Sequence, residues 1–100
     1  MYGTISIMKV NPENRSKLNA MFEAWWSERQ PNVSGAIASS VHVNDANPGE
    51  VIVSVIFESK ETYDANAADP EQDKWYREMR ALLEADPRWI DGEVLSCKHV

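Results

Sequence analysis

Cysteine is nearly absent from this chain. Cys97 is the only one, so there can be no internal disulfide and no thiolate metal cage, and a reducing compartment is expected. The four glycines all fall at expected turns or strand ends, which leaves no glycine-rich loop to cradle a phosphate. Basic residues are outnumbered, with ten Lys and Arg against sixteen Asp and Glu, and they form no cluster. The net charge of −6 therefore argues against nucleic acid and anionic membranes as partners. No apolar run approaches the roughly 20 residues that span a bilayer. The opening "MYGTISIMKV" has no basic start followed by an apolar run, so no signal peptide is expected and the expected location is the cytoplasm.

What is present fits one domain, residues 1–100, with one hydrophobic core. Four tryptophans in so short a chain suggest a core filled by a few large side chains.

Residues 3–10 alternate Ile5 and Ile7 with Thr4 and Ser6, the period of a strand. Asn11, Pro12 and Glu13 then suit the cap, first position and first turn of a helix. Leu18, Met21, Phe22, Trp25 and Trp26 make one apolar stripe along it, with Lys17, Glu23, Glu28 and Arg29 largely off that stripe. Pro31 and Gly35 end the helix. Residues 36–43 read as a second strand and "NDANPGE" as a turn. Residues 51–57, "VIVSVIF", are apolar on both faces and predict a central strand. Ser59 caps a short helix. Asp69-Pro70 starts another, predicted to reach about Ala85 with a stripe of Trp75, Met79, Leu82 and Leu83 and Tyr76 at its shoulder. "ADPRWIDG" reads as its terminator and "EVLSCKHV" as the last strand.

The order β-α-β-β-α-β predicts an α+β, ferredoxin-like fold: a four-stranded antiparallel sheet with both helices on one face. The strands carry apolar residues on the uncovered face too. A two-fold homodimer with sheets packed face to face is therefore expected.

Several side chains could carry chemistry. Trp75 and Tyr76 could sandwich a planar substrate, or Trp75 could anchor the core with Tyr76 at a pocket rim. Tyr63 and Asn66 share a helix face, and Asn66 could orient a substrate carbonyl or merely serve the helix end. Arg80 could reach the same rim or pair with Glu84. His42 shares a small, polar strand face with Ser40, Ala38 and Ala36. It could line a cavity as a general base, or sit exposed on an edge strand. Cys97 and His99 lie two residues apart on a predicted strand, too far for a thiolate–imidazole pair. The acids of "DPEQD" are explained by helix capping, so no metal site is expected.

"FESKETYDANAADPEQDKWYREMRALLEADPRWIDGEV", residues 57–94, resembles the antibiotic biosynthesis monooxygenase-like domains of the dimeric α+β barrel superfamily. Length and element order agree over nearly the whole chain. The resemblance implies a homodimer with a pocket between helices and sheet in each subunit. It also implies functions that include cofactor-independent oxidation of aromatic quinols, haem degradation, and no known activity; the chain is most similar to members of that last group. Haem-degrading members use a His after the third strand, and residues 58–90 contain none, which argues against haem.

The expected function is a cofactor-independent monooxygenase acting on a small aromatic or quinol-type hydrophobic substrate. His42 and Asn66 are its candidate catalytic residues, and Tyr63, Trp75, Tyr76 and Arg80 its candidate substrate-binding residues. The alternative is a non-catalytic homodimeric module that binds a small hydrophobic metabolite. A base in the pocket favours the first and its lack the second.

Overall fold

The computed structural model describes residues 1–98. Strand β1 (Tyr2–Lys9) leads through a 3-10 turn (Pro12–Asn14) into helix α1 (Arg15–Ala24). As expected, Asn11 caps this entry, its side chain accepting from the Glu13 N–H. The helix does not simply stop. It widens into a π-helical stretch, Trp25–Arg29, with the Gln30 N–H donating to the Trp25 carbonyl, and ends in a 3-10 turn, Gln30–Asn32. Strands β2 (Ala36–Val43) and β3 (Glu50–Phe57) follow, then α2 (Lys60–Ala67), α3 (Pro70–Arg80) and β4 (Arg88–Glu93).

The sheet order is β2-β3-β1-β4 and every neighbouring pair is antiparallel. This is the ferredoxin-like α+β arrangement, with β1 and β3 central and the helices packed on one face. The core lies between that face and the helices: Met8, Val10, Val51 and Val53 of the sheet side meet Leu18, Met79 and Leu83. Both predicted helix starts after β3 hold. Ser59 and Thr62 form a reciprocal capping box, and Asp69 accepts from the Glu71 N–H ahead of α3.

Two predicted boundaries move. Helix α3 ends at Arg80, not near Ala85. The chain peels away there because Leu83 forms a bridge with Val10 and the Glu84 N–H donates to the Lys9 carbonyl at 2.9 Å. Extending β1 thereby buries Leu83 without further helix. The last strand is Arg88–Glu93, drawn from the stretch read as a terminator. It pairs with β1 along its length although every residue in it is exposed. Such an edge strand carries no apolar run to announce it. Leu95, within the stretch "EVLSCKHV" read as the last strand, is 90% exposed. Residues 94–98 are not in a strand, and the rest of that expectation, including His99, lies outside the described residues.

The sheet face away from the helices is rich in isoleucine. Alternation and register put Ile5, Ile7, Ile52, Ile56 and Ile90 there, and Ile5 and Ile90 are each about half exposed.

Candidate active site

Between the helix-covered sheet face and the helices lies a cavity of about 490 Å³, within the usual range for a small-molecule site. Its walls are mainly aromatic: Phe22, Trp25, Trp26, Trp75, Tyr76 and Trp89. These rings are held in fixed places. Trp75 donates its indole N–H to the Met21 carbonyl at 3.0 Å and meets Phe22 edge-on at 5.5 Å. Trp26 donates to Ser39 Oγ at 2.6 Å, which ties the π-helical stretch to β2. The expected split between Trp75 and Tyr76 is only partial. Trp75 does pack against the core, yet both line the cavity, and the Tyr76 ring neighbours that of Trp89, centroids 6.2 Å apart and tilted by 44°. Burial, then the charge of Asp86, raises the Tyr76 hydroxyl above the ordinary tyrosine range.

Polar side chains interrupt the aromatic wall on both its sheet side and its helix side. On the sheet side, Tyr63 Oη donates to Asp91 Oδ1 at 3.2 Å. The Tyr63 ring is set edge-on by Tyr2 at 5.2 Å and Phe57 at 5.7 Å. Burial, followed by the Asp91 charge, pushes the Tyr63 hydroxyl up to about 12. It therefore stays a neutral hydroxyl at physiological pH, while Asp91 offers oxygen acceptors at the same place. Tyr63 and Asp91 both line the cavity.

On the helix side, Gln72 Oε1 accepts from Trp25 Nε1 at 2.7 Å and from Arg29 Nε at 3.2 Å. Arg29 also donates to Asn66 Oδ1 at 3.0 Å and approaches Asp69 at 3.6 Å. The sequence pattern left Arg29 on the solvent side of its helix. The wider π turn carries it inward, and its side chain is only 15% exposed. π-Helical stretches often occur at functional sites.

Of the residues singled out in the sequence, Tyr63, Asn66, Trp75 and Tyr76 come together around the cavity. His42 does not. It pairs across to Ile52 on the open sheet face, away from the helices and the cavity, and is exposed on edge strand β2. The face it was expected to share is also broken, since a register shift between Ala36 and Ala38 turns Ala36 to the cavity side. Arg80 is not part of the cavity wall either. It pairs with Asp86 Oδ1 at 2.8 Å and donates to the Leu83 carbonyl, rather than pairing with Glu84, because the helix has already ended. Asp91, Trp89, Gln72, Trp26 and Arg29 were missed. The inward alternation Trp89, Asp91 was legible only if residues 88–93 were taken as a strand. Among the described residues, no three His, Cys, Asp or Glu side chains converge to hold a metal.

No family model and no curated protein matches the sequence. Solved structures do match over nearly the whole chain. The chain is similar to a monooxygenase of Streptomyces coelicolor solved in complex with the ligand nanaomycin D, at 18% identity and TM-score 0.81, covering 99% of this chain and 91% of that one. It is similar to a Caulobacter crescentus protein provisionally named an antibiotic biosynthesis monooxygenase, at 13% identity and TM-score 0.81, covering 95% and 90%. A Chloroflexus aurantiacus protein with the same provisional name matches at 21% identity and TM-score 0.73, covering 99% and 96%. The fold of this chain is thus that of antibiotic biosynthesis monooxygenase-like proteins. At these identities the likeness is one of fold.

Proposed function

We propose that the protein is a cofactor-independent monooxygenase that oxidises a small, planar aromatic or quinol-type substrate without haem. The observation that carries this reading is the aromatic-walled cavity with the carboxylate of Asp91 at its sheet side, the two other carboxylates that line it, Asp64 and Asp73, being ion-paired with Lys60 and Arg77. The fold likeness to a monooxygenase solved in complex with nanaomycin D supports it.

In the proposed reaction the substrate stacks between the aromatic walls, and Asp91 takes the proton of its hydroxyl. The resulting carbanion-like phenolate passes one electron to dioxygen. Radical and superoxide then couple, forming a carbon–oxygen bond. The peroxide regains the proton from Asp91, the oxygen–oxygen bond breaks, and loss of the remaining C–H proton releases water. A ring CH₂ becomes C=O, one oxygen atom enters the substrate and the other leaves as water. All four electrons come from the substrate, so no reductant is needed. Exclusion of bulk water by the aromatic walls favours a desolvated, electron-rich anion.

Oxygen uptake with anthrone- and naphthoquinol-type probes tests the reading. Wild type should consume oxygen above the uncatalysed rate, and Asp91→Asn should lower kcat about 100-fold, the scale of general-base catalysis. Tight probe binding with no uptake would instead favour a non-catalytic module that binds a small hydrophobic metabolite.

We further propose that two copies pack their isoleucine-bearing sheet faces together. Ile5, Ile7, Ile52, Ile56 and Ile90 form an apolar face that one chain alone leaves in water. Native mass spectrometry should find twice the 11.3 kDa chain mass; a persistent monomer would sink the dimer. The scarcity of cysteine fits a cytoplasmic, reducing setting for this assembly, and no described helix is long and apolar enough to cross a membrane.

A further inference from the structure

We infer that Arg29, sharing the Gln72 oxygen with Trp25, is a positioning residue that sets the hydrogen-bonding polarity of the cavity, so that Gln72, with Asn66 beside it, presents amide N–H donors to a carbonyl or phenolate oxygen of the ligand. The inference rests on the cavity being the ligand site, as proposed above, and names the ligand chemistry that its helix side selects.

Elementary donor and acceptor counting carries it. A carboxamide has one end that accepts and one that donates. Trp25 Nε1 and the Arg29 guanidinium can only donate. Both meet Gln72 at a single atom, which must therefore be the oxygen. Arg29 meets Asn66 the same way, so its oxygen too is turned toward the guanidinium. Both carboxamides belong to the cavity wall. Their nitrogen ends have no hydrogen-bond partner among the described residues, and these are the ends left to a ligand. Arg29 can hold both amides because its planar fork presents several N–H groups in fixed directions, and Asp69 at 3.6 Å anchors the fork from behind.

The two sides of the cavity then differ in kind. The helix side offers amide donors from Gln72 and Asn66, while its carboxylates, Asp64 and Asp73, are ion-paired with Lys60 and Arg77. The sheet side offers the acceptor Asp91. A ligand that satisfies both carries an acceptor oxygen at one end and a hydroxyl at the other, as a hydroxylated aromatic ketone does. A purely hydrocarbon ring would fill the volume but leave the amides unmet.

The test compares two probes that differ by one carbonyl, 1-tetralone and tetralin, by equilibrium dialysis. Wild type should bind the ketone about tenfold more tightly, the worth of one well-made hydrogen bond in a largely dry site. Gln72→Glu keeps an acceptor for Trp25 and Arg29 and replaces only the donating end. It should bring the ketone preference, read as the ratio of ketone to tetralin affinity within the variant, to twofold or less. Arg29→Met frees Asn66 to turn while Trp25 still holds the Gln72 oxygen, so it should lower the ketone preference less than Gln72→Glu does; Gln72→Glu keeps the test valid should Arg29→Met fail to fold. A ketone preference that survives in Gln72→Glu would overturn the assignment. If wild type binds both probes equally, this inference fails and the cavity reading stands. If it binds neither, both fall.

Discussion

Phe57→Ala is expected to cost about 3–5 kcal/mol, the usual range for emptying a buried aromatic site. Phe57 closes strand β3 and is 1% exposed. It lies opposite Tyr2 and Ala36 in the sheet, and its ring meets Tyr63 edge-on at 5.7 Å. It also forms part of the cavity wall. Removing it would therefore enlarge the cavity and release the ring that aims the Tyr63 hydroxyl at Asp91. A domain of this size has only about 5–15 kcal/mol in total, so the variant should be near the edge of folding. Urea unfolding should show a much lower midpoint with the slope unchanged. Phe57→Leu should recover more than half of the loss, since most of the volume returns. A cost under about 1 kcal/mol for Phe57→Ala would mean that the ring is not packed as described.

Gly3→Ala is expected to be nearly as damaging although it adds a single methyl group. A Cβ at Gly3 would fall 2.1 Å from the Val55 carbonyl oxygen, 3.1 Å from its carbon and 3.2 Å from Ile56 Cα. All three are main-chain atoms of β3, the strand paired with β1 at this point. A side chain could rotate away; a central ladder cannot move without breaking its hydrogen bonds. Overpacking of this kind typically costs 1–3 kcal/mol, and a purely main-chain obstacle puts the expectation at about 3. Gly92 supplies the control. It faces Gly3 across the β1–β4 ladder, yet nothing lies within 4 Å of an added Cβ. Gly92→Ala should be neutral or slightly stabilising, because it restricts the unfolded chain. Thermal unfolding of the two variants side by side should separate them clearly. Equal melting temperatures would show that β1 and β3 do not approach as closely here as the register requires.

The pattern of residues was enough for the topology. The alternation around Ile5 and Ile7, the β-branched run 51–57 and the capping signals at Asn11, Ser59 and Asp69 are local consequences of chain geometry. Each was legible without a neighbour. So was the apolar character of both sheet faces, from which the dimer was expected. Part of the site was legible for the same reason: Tyr63 with Asn66, and Trp75 with Tyr76, lie on helices whose inward faces periodicity reveals.

Only the tertiary structure decided the rest. Edge strand β4 has no buried residue; its pairing with β1 makes it a strand, and that partner is more than eighty residues away along the chain at Thr4 and Asp91. Missing the strand meant missing Asp91 and Trp89. The helix α3 boundary depended on Leu83 finding Val10, and with the shorter helix Arg80 found Asp86. Arg29 was misplaced because a period of 3.6 residues was assumed through a stretch that widens to the π form. His42 was placed on the correct strand, but which face the helices would cover is a property of the packed molecule. Local geometry is written in neighbouring residues; the polarity of the cavity comes from side chains that only folding brings together.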